Sequence, residues 1–170
     1  MELADYIRSV PDFPKKGILF RDITTLLKVP EAFGEAVDKL SELAGEVGPD
    51  LIVAVESRGF ILGGAVAYKL GCGFVPARKP GKLPAEVLRE EYELEYGTDA
   101  LEVHRDAVGE GSKVVVLDDL LATGGTAAAT CRLVEKLGGR VARVVFLIEL
   151  TELKGRERLS RWDVVSIIKY

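Results

Sequence analysis

The sequence predicts an α/β fold, a parallel sheet flanked by helices, and three observations carry that prediction. The runs LIVAVE (51–56), KVVVLDD (113–119), ARVVFLIEL (142–150) and DVVSIIK (163–169) are continuous in Val, Ile and Leu rather than alternating. Such runs mark strands buried on both faces. Helix-period segments separate the earlier runs and supply the crossovers that parallel strands require. Finally, 170 residues with 48% hydrophobic and 29% charged content suffice for one domain with a sizeable core.

In chain order, residues 2–10 read as a short helix closed off by Pro11 and Pro14. Residues 16–28 contain an extended stretch in which Ile18, Phe20 and Asp22 point one way. A helix begins at Pro30, a residue favoured in the first helical turn. Its apolar face is Phe33, Val37, Leu40, Ala44 and Val47, at three- and four-residue steps, and Gly48-Pro49 stops it. The run 51–56 leads through Ser57-Arg58-Gly59 into an apolar helix over 60–70 that ends at Gly71. A short strand follows at 73–78. Residues 79–87, with two prolines, a glycine and two lysines, predict a mobile loop. REEYELEY (89–96) and ALEVHRD (100–106) predict an antiparallel hairpin around Gly97. The run 113–119 then turns through LLATGGT into a helix reaching Leu137, before the last two strands.

The totals exclude several classes. A net charge of −4 with a pI near 5.2 lacks the basic excess of a nucleic-acid binder. No apolar run reaches the ~20 residues of a membrane span, and MELADYIRSV lacks the pattern of a signal peptide, so a cytoplasmic location is the expectation. Cys72 and Cys131 match no metal or redox spacing and are expected as buried free thiols. His104, the only histidine, rules out a His–His metal site and reads as an ordinary strand residue. The chain contains neither Asn nor Gln; a hot source, where such residues are depleted, and codon bias account for this equally well.

The chemistry concentrates in VVVLDDLLATGGT (114–126). Ligands of open parallel sheets bind outside the carboxyl ends of the strands, and Asp118 and Asp119 are expected to end a strand at that edge. Ala122, Thr123, Gly124, Gly125 and Thr126 open a helix whose first N–H groups lack intrahelical partners and lie at the positive end of its dipole. The arrangement suits a phosphate monoester. It is not a nucleotide-triphosphate loop, because the GK[ST] ending is absent. Two carboxylates before the turn suit the neighbouring hydroxyls of a ribose and favour positive charge developing on its ring. At the end of the preceding buried strand, Arg58 offers a fork of donors suited to phosphate oxygens. Arg78, Lys79 and Lys82 form a dense basic cluster beside the loop. Glu91, Glu93 and Glu95 share one face of their strand, with Tyr92, Leu94 and Tyr96 on the other, and the alternation does not distinguish among the three acids.

VVVLDDLLATGGT resembles the phosphoribosyl-pyrophosphate signature of the type I phosphoribosyltransferases. FPKKGILFRDIT (13–24), VESRGFILG (55–63) and RKPGKLPAEVLREEYELEYG (78–97) are similar, in the same order, to further blocks of the members that use adenine. The resemblance implies a type I core with a small N-terminal hood and a flexible loop and hairpin. It implies transfer of the 5-phosphoribosyl group from phosphoribosyl pyrophosphate to adenine, giving AMP and pyrophosphate. A phosphoribosyltransferase for another purine base and a non-catalytic phosphoribosyl-pyrophosphate sensor are the alternatives. The resemblance further implies that Arg58 belongs to a pyrophosphate loop with a cis peptide bond between Glu56 and Ser57, and that the 79–87 loop, with Arg78, Lys79 and Lys82, closes over the site. Glu95 is the implied proton-handling acid, next to the substrate-binding Tyr96. Phe20 is the implied aromatic stacking on the base, with Leu19 and Arg21 offering backbone groups to its edge. Mg²⁺ is expected on the substrate's pyrophosphate, with no dedicated metal ligand in the chain, and a homodimer is implied.

Overall fold

Residues 8–22 of the computed structural model fold back as an antiparallel ribbon, β1 (Arg8–Pro11) against β2 (Leu19–Asp22). The helix expected over 2–10 is therefore only a 3-10 turn at Leu3–Tyr6. Val10 precedes a proline and is pushed toward extended backbone, and pairing with β2 satisfies the strand. Arg8 and Asp22 lock the pair with a 2.6 Å ion pair. Asp22 also accepts hydrogen bonds from the backbone N–H (2.9 Å) and hydroxyl (2.7 Å) of Thr24, which starts the short helix α1 (Thr24–Leu27).

Helix α2 (Pro30–Gly45) starts where expected, but its fully buried row is Ala32, Ala36, Leu40 and Ala44. Phe33, Val37 and Val47 are half-buried. Leu40 and Ala44 belong to both the expected and the observed face, while Ala32 and Ala36 take the buried places where Phe33 and Val37 were expected. The structure describes residues 1–94 and 97–170, and the chain divides into two compact units, residues 1–39 and 40–170.

The second unit carries the parallel sheet. Strand β3 (Leu51–Val55) feeds α3 (Arg58–Leu70) and then β4 (Gly73–Ala77). A hairpin follows, β5 (Val87–Glu93) with β6 (Thr98–His104). Next come β7 (Lys113–Leu121), α4 (Gly125–Lys136), β8 (Arg140–Glu149) and β9 (Val164–Lys169). The sheet order is β4-β3-β7-β8-β9, with every neighbouring pair parallel. Val115, Val116, Leu117, Val145 and Leu147 are fully enclosed. At about 1.5–3 kcal/mol for each buried side chain of this size, these strands form the firm part of the scaffold.

Three local expectations change. Strand β7 does not end at the aspartates; it runs on to Leu121, because Leu120 and Leu121 pair with Ile148 and Glu149 of β8. Leu94 is 49% exposed rather than buried with Tyr92, since strand pairing stops at Glu93 and Thr98. Cys131 is buried as expected and burial pushes its thiol pKa up, but Cys72, just past the end of α3, is only half-buried.

Candidate active site

Strand order reverses between β3 and β7: the chain leaves β3 toward β4 on one side and returns to β7 on the other. At such a switch point the two following connections diverge and leave a crevice outside the strand ends. A cavity of about 300 Å³ lies there, lined from the β3 side by Val55, Glu56 and Arg58. From the β7 side it is lined by Asp118, Asp119 and the whole of Leu120–Ala127. Lys79 and Phe146 complete the wall.

The turn before α4 has the open helix start its sequence suggests. Gly124 caps α4 with φ of 88°, a left-handed conformation that glycine adopts at little cost. The Ala128 N–H donates to the Gly124 carbonyl at 2.9 Å, closing the first helical turn. The N–H groups of Gly125, Thr126 and Ala127 therefore precede any intrahelical partner and lie at the positive end of the helix. Thr123 is exposed and Thr126 half-buried.

The acidic pair is not symmetric. Arg58 Nε donates to Asp119 Oδ2 at 2.6 Å, joining the β3 turn to the β7 carboxylate. The Asp119 N–H donates to Asp118 Oδ1 at 2.8 Å. Burial, and then the neighbouring charge of Asp119, push the Asp118 carboxyl well above the usual carboxylate range. A Cβ on Gly59 would lie 2.7 Å from Asp118 Oδ1, so only glycine lets the start of α3 sit so close to this carboxylate. The Glu56–Ser57 peptide bond beside it is cis, as expected.

Glu56 organises the basic cluster. Its Oε1 accepts from Arg78 Nε at 3.1 Å and from the Lys79 N–H at 2.8 Å. Arg78 also lies over the Phe60 ring, 5.7 Å from its centre. Lys79 extends toward the hairpin, where its ammonium donates to Tyr92 Oη at 3.0 Å and to the Asp99 carboxylate. The buried Glu102 holds the loop's first turn, accepting from the Gly81 N–H at 3.0 Å. Lys82, further along, is exposed and stands outside the cavity lining. Arg58, Lys79, Asp118, Asp119 and Ala122–Thr126 are thus brought together, while Arg78 and Lys82 lie outside the cavity lining.

Sequence reasoning missed Glu56, Asp99 and Glu102. Glu56 was findable, because it ends a buried parallel strand by the same rule that marked Asp118. Asp99 and Glu102 gave no local signal; their roles depend on where the hairpin folds back. Glu95 and Tyr96 lie outside the described residues.

Leu19, Phe20 and Arg21 lie on β2 in the N-terminal unit. Phe20 packs edge-on against Phe13, with ring centres 5.2 Å apart. With Val10, Asp22 and Thr24 the two rings line an apolar recess of about 310 Å³. Leu19 and Arg21, two residues apart, turn their backbone groups to the same edge of the ribbon.

The phosphoribosyl transferase domain model matches residues 22–169. The chain belongs to that family. Among its phosphoribosyl transferase relatives, the adenine phosphoribosyltransferase of Thermotoga maritima is 58% identical over 100% of this chain and 98% of its own. That of Gloeobacter violaceus is 57% identical, covering 100% of both. The crystal structure of the Thermoanaerobacter pseudethanolicus adenine phosphoribosyltransferase superposes with a TM-score of 0.97 at 56% identity, covering 99% of this chain and 98% of that one. The Saccharomyces cerevisiae enzyme, complexed with an imino-altritol bisphosphate and adenine, gives 0.90 at 43% identity, covering 96% and 95%.

Proposed function

We propose that the chain transfers the 5-phosphoribosyl group from phosphoribosyl pyrophosphate to adenine, giving AMP and pyrophosphate, and so salvages the purine. The observation that carries this reading is the carboxylate pair Asp118-Asp119 beside the Ala122–Thr126 loop in one switch-point cavity. One part suits a ribose diol and the other a phosphate monoester.

In the reaction, a ring nitrogen of adenine forms a bond to the anomeric carbon as the bond to pyrophosphate breaks. The electron pair leaves with pyrophosphate, and the ring nitrogen loses its proton. The N–H groups at the start of α4, with Thr123 and Thr126, hold the 5-phosphate. Asp118 and Asp119 accept from the ribose hydroxyls and favour the positive charge that develops on the ring. Arg58, Lys79, Arg78 and Lys82 face the departing pyrophosphate. Glu95 takes the proton, Tyr96 contacts the substrate, and Leu19, Phe20 and Arg21 bind the base. No covalent enzyme intermediate is needed, so positioning and electrostatics supply the rate.

Mg²⁺ enters as part of the substrate. Of the carboxylates that line the cavity, Asp119 and Glu56 are engaged by Arg58 and Arg78. Magnesium favours substrate phosphates and retained water over an all-protein cage.

In this reading residues 1–170 act as one phosphoribosyltransferase domain, as a homodimer in the cytoplasm. Tyr68 at 90% exposure and Ile61 at 45%, seven residues apart on α3, and Phe74 at 37% support self-association. No helix among the described residues is long and apolar enough to cross a membrane. The reading is tested by incubating the protein with phosphoribosyl pyrophosphate, Mg²⁺ and each base, following nucleotide formation, with sedimentation velocity for the assembly.

A further inference from the structure

Outside the phosphate loop lies a turn to which the chemistry above gives no part. A Cβ on Gly155 would lie 2.5 Å from the Ala122 carbonyl oxygen and 2.7 Å from the Leu121 side chain. Conversely, a Cβ on Gly124 would lie 2.5 Å from the Gly155 carbonyl oxygen. The two backbones interlock with no side chain between them, so the position of one determines the position of the other.

A buried carboxylate anchors the turn to the sheet. Arg156 grips Glu149 with both arms of its fork, Nε to Oε2 at 2.8 Å and Nη2 to Oε1 at 2.9 Å. Its third nitrogen donates to the Val164 carbonyl at 2.8 Å, and Ser166 Oγ donates to Glu149 Oε1 at 2.6 Å. Glu149 is only 5% exposed and lies opposite Leu121 in the β7–β8 ladder. One carboxylate thus ties together the ends of β8 and β9 and the turn that presses on Ala122.

A buried ion pair adds little stability over a well-packed apolar replacement, because desolvation offsets the attraction. A bidentate guanidinium–carboxylate pair does, however, fix direction and distance. We infer that Glu149 and Arg156 are positioning residues: through Gly155 they hold the Ala122–Gly125 backbone so that its N–H groups stay aimed at the 5-phosphate. The inference rests on the reading of that loop as the phosphate site. The 5-phosphate is bound equally before and during the transfer, so loosening the loop should weaken affinity for phosphoribosyl ligands rather than slow the bound complex.

The test uses Glu149→Gln, Arg156→Lys and Gly155→Ala, the last reaching the loop without touching the ion pair. Affinity for ribose 5-phosphate is measured by calorimetry, alongside KM for phosphoribosyl pyrophosphate, KM for adenine, kcat and Tm. The ribose 5-phosphate affinity should fall about tenfold to a hundredfold, by analogy with the loss of groups that orient metal-ligating side chains. KM for phosphoribosyl pyrophosphate should rise in parallel, with adenine KM and saturated kcat little changed. Unchanged ribose 5-phosphate affinity in folded Arg156→Lys and Gly155→Ala would overturn the inference. So would a loss confined to Tm, or a parallel rise of both KM values. If the unmodified protein binds neither ribose 5-phosphate nor phosphoribosyl pyrophosphate, the phosphate-site reading fails and this inference falls with it.

Discussion

Arg58 and Asp119 meet at 2.6 Å across the switch point between β3 and β7. This contact joins the two connections that wall the cavity and leaves the adjacent Asp118 to bear the cost of a second carboxylate at the same place. Asp118 is the group whose ionisation the site resists, through burial first and the charge of Asp119 second.

Asp118→Asn should therefore stabilise the protein while impairing it. A carboxyl whose folded pKa is raised destabilises the native state most when it is ionised, above that folded pKa. The penalty shrinks as pH falls through the folded pKa and vanishes below the unfolded value, about 3.8. The variant should show a higher Tm at neutral pH, no gain near pH 4, and a reduced kcat. Thermal scans across this range with parallel turnover assays check both halves. An equal or lower Tm at neutral pH would remove the electrostatic account of the pair.

The basic loop should divide into a fixed and a moving part. Glu56 and Glu102 hold the segment from Arg78 to Gly81, whereas Lys82 and Pro84–Glu86 are exposed. Hydrogen exchange without substrate should be slow over 78–81 and fast over 82–86. With phosphoribosyl pyrophosphate and Mg²⁺ the second part should slow, as expected of a covering loop. Uniform, ligand-independent exchange across 78–86 would exclude that role.

Most of the architecture was legible because apolar runs of strand length, punctuated by glycine and proline, have few other solutions. That Asp118, Asp119 and Ala122–Thr126 line one cavity was legible for a related reason, since the last residues of β7, the turn and the helix start are consecutive in the chain. The N-terminal ribbon was not, because Arg8–Pro11 becomes a strand only by pairing with Leu19–Asp22. The tie from Lys79 to Tyr92 and Asp99 and the grip of Arg156 on Glu149 were likewise invisible, being made by folding rather than by adjacency.

Gly124→Ala should damage the loop directly. The substitution places a side chain at φ of 88° and 2.5 Å from the Gly155 carbonyl oxygen, which is backbone and yields only if the turn moves. Strain of this kind costs about 1–3 kcal/mol. The expected result is a lower Tm and a raised KM for phosphoribosyl pyrophosphate, with KM for adenine little affected. Steady-state kinetics with each substrate varied separately checks this, and an unchanged phosphoribosyl pyrophosphate KM would contradict the loop's assignment.

The most direct measurement is kcat/KM for adenine against hypoxanthine in the unmodified protein, with phosphoribosyl pyrophosphate and Mg²⁺ saturating. Adenine presents an amine donor beside a ring acceptor, and hypoxanthine presents a carbonyl beside an N–H, so backbone groups suited to one face the other mismatched. Polar groups left unpaired cost about 1–3 kcal/mol each. Adenine should therefore be favoured by about a hundredfold or more, and Phe20→Ala should weaken adenine use without admitting hypoxanthine. Comparable values for the two bases would contradict the assignment of adenine, and absence of nucleotide with any base would contradict the transferase reading itself.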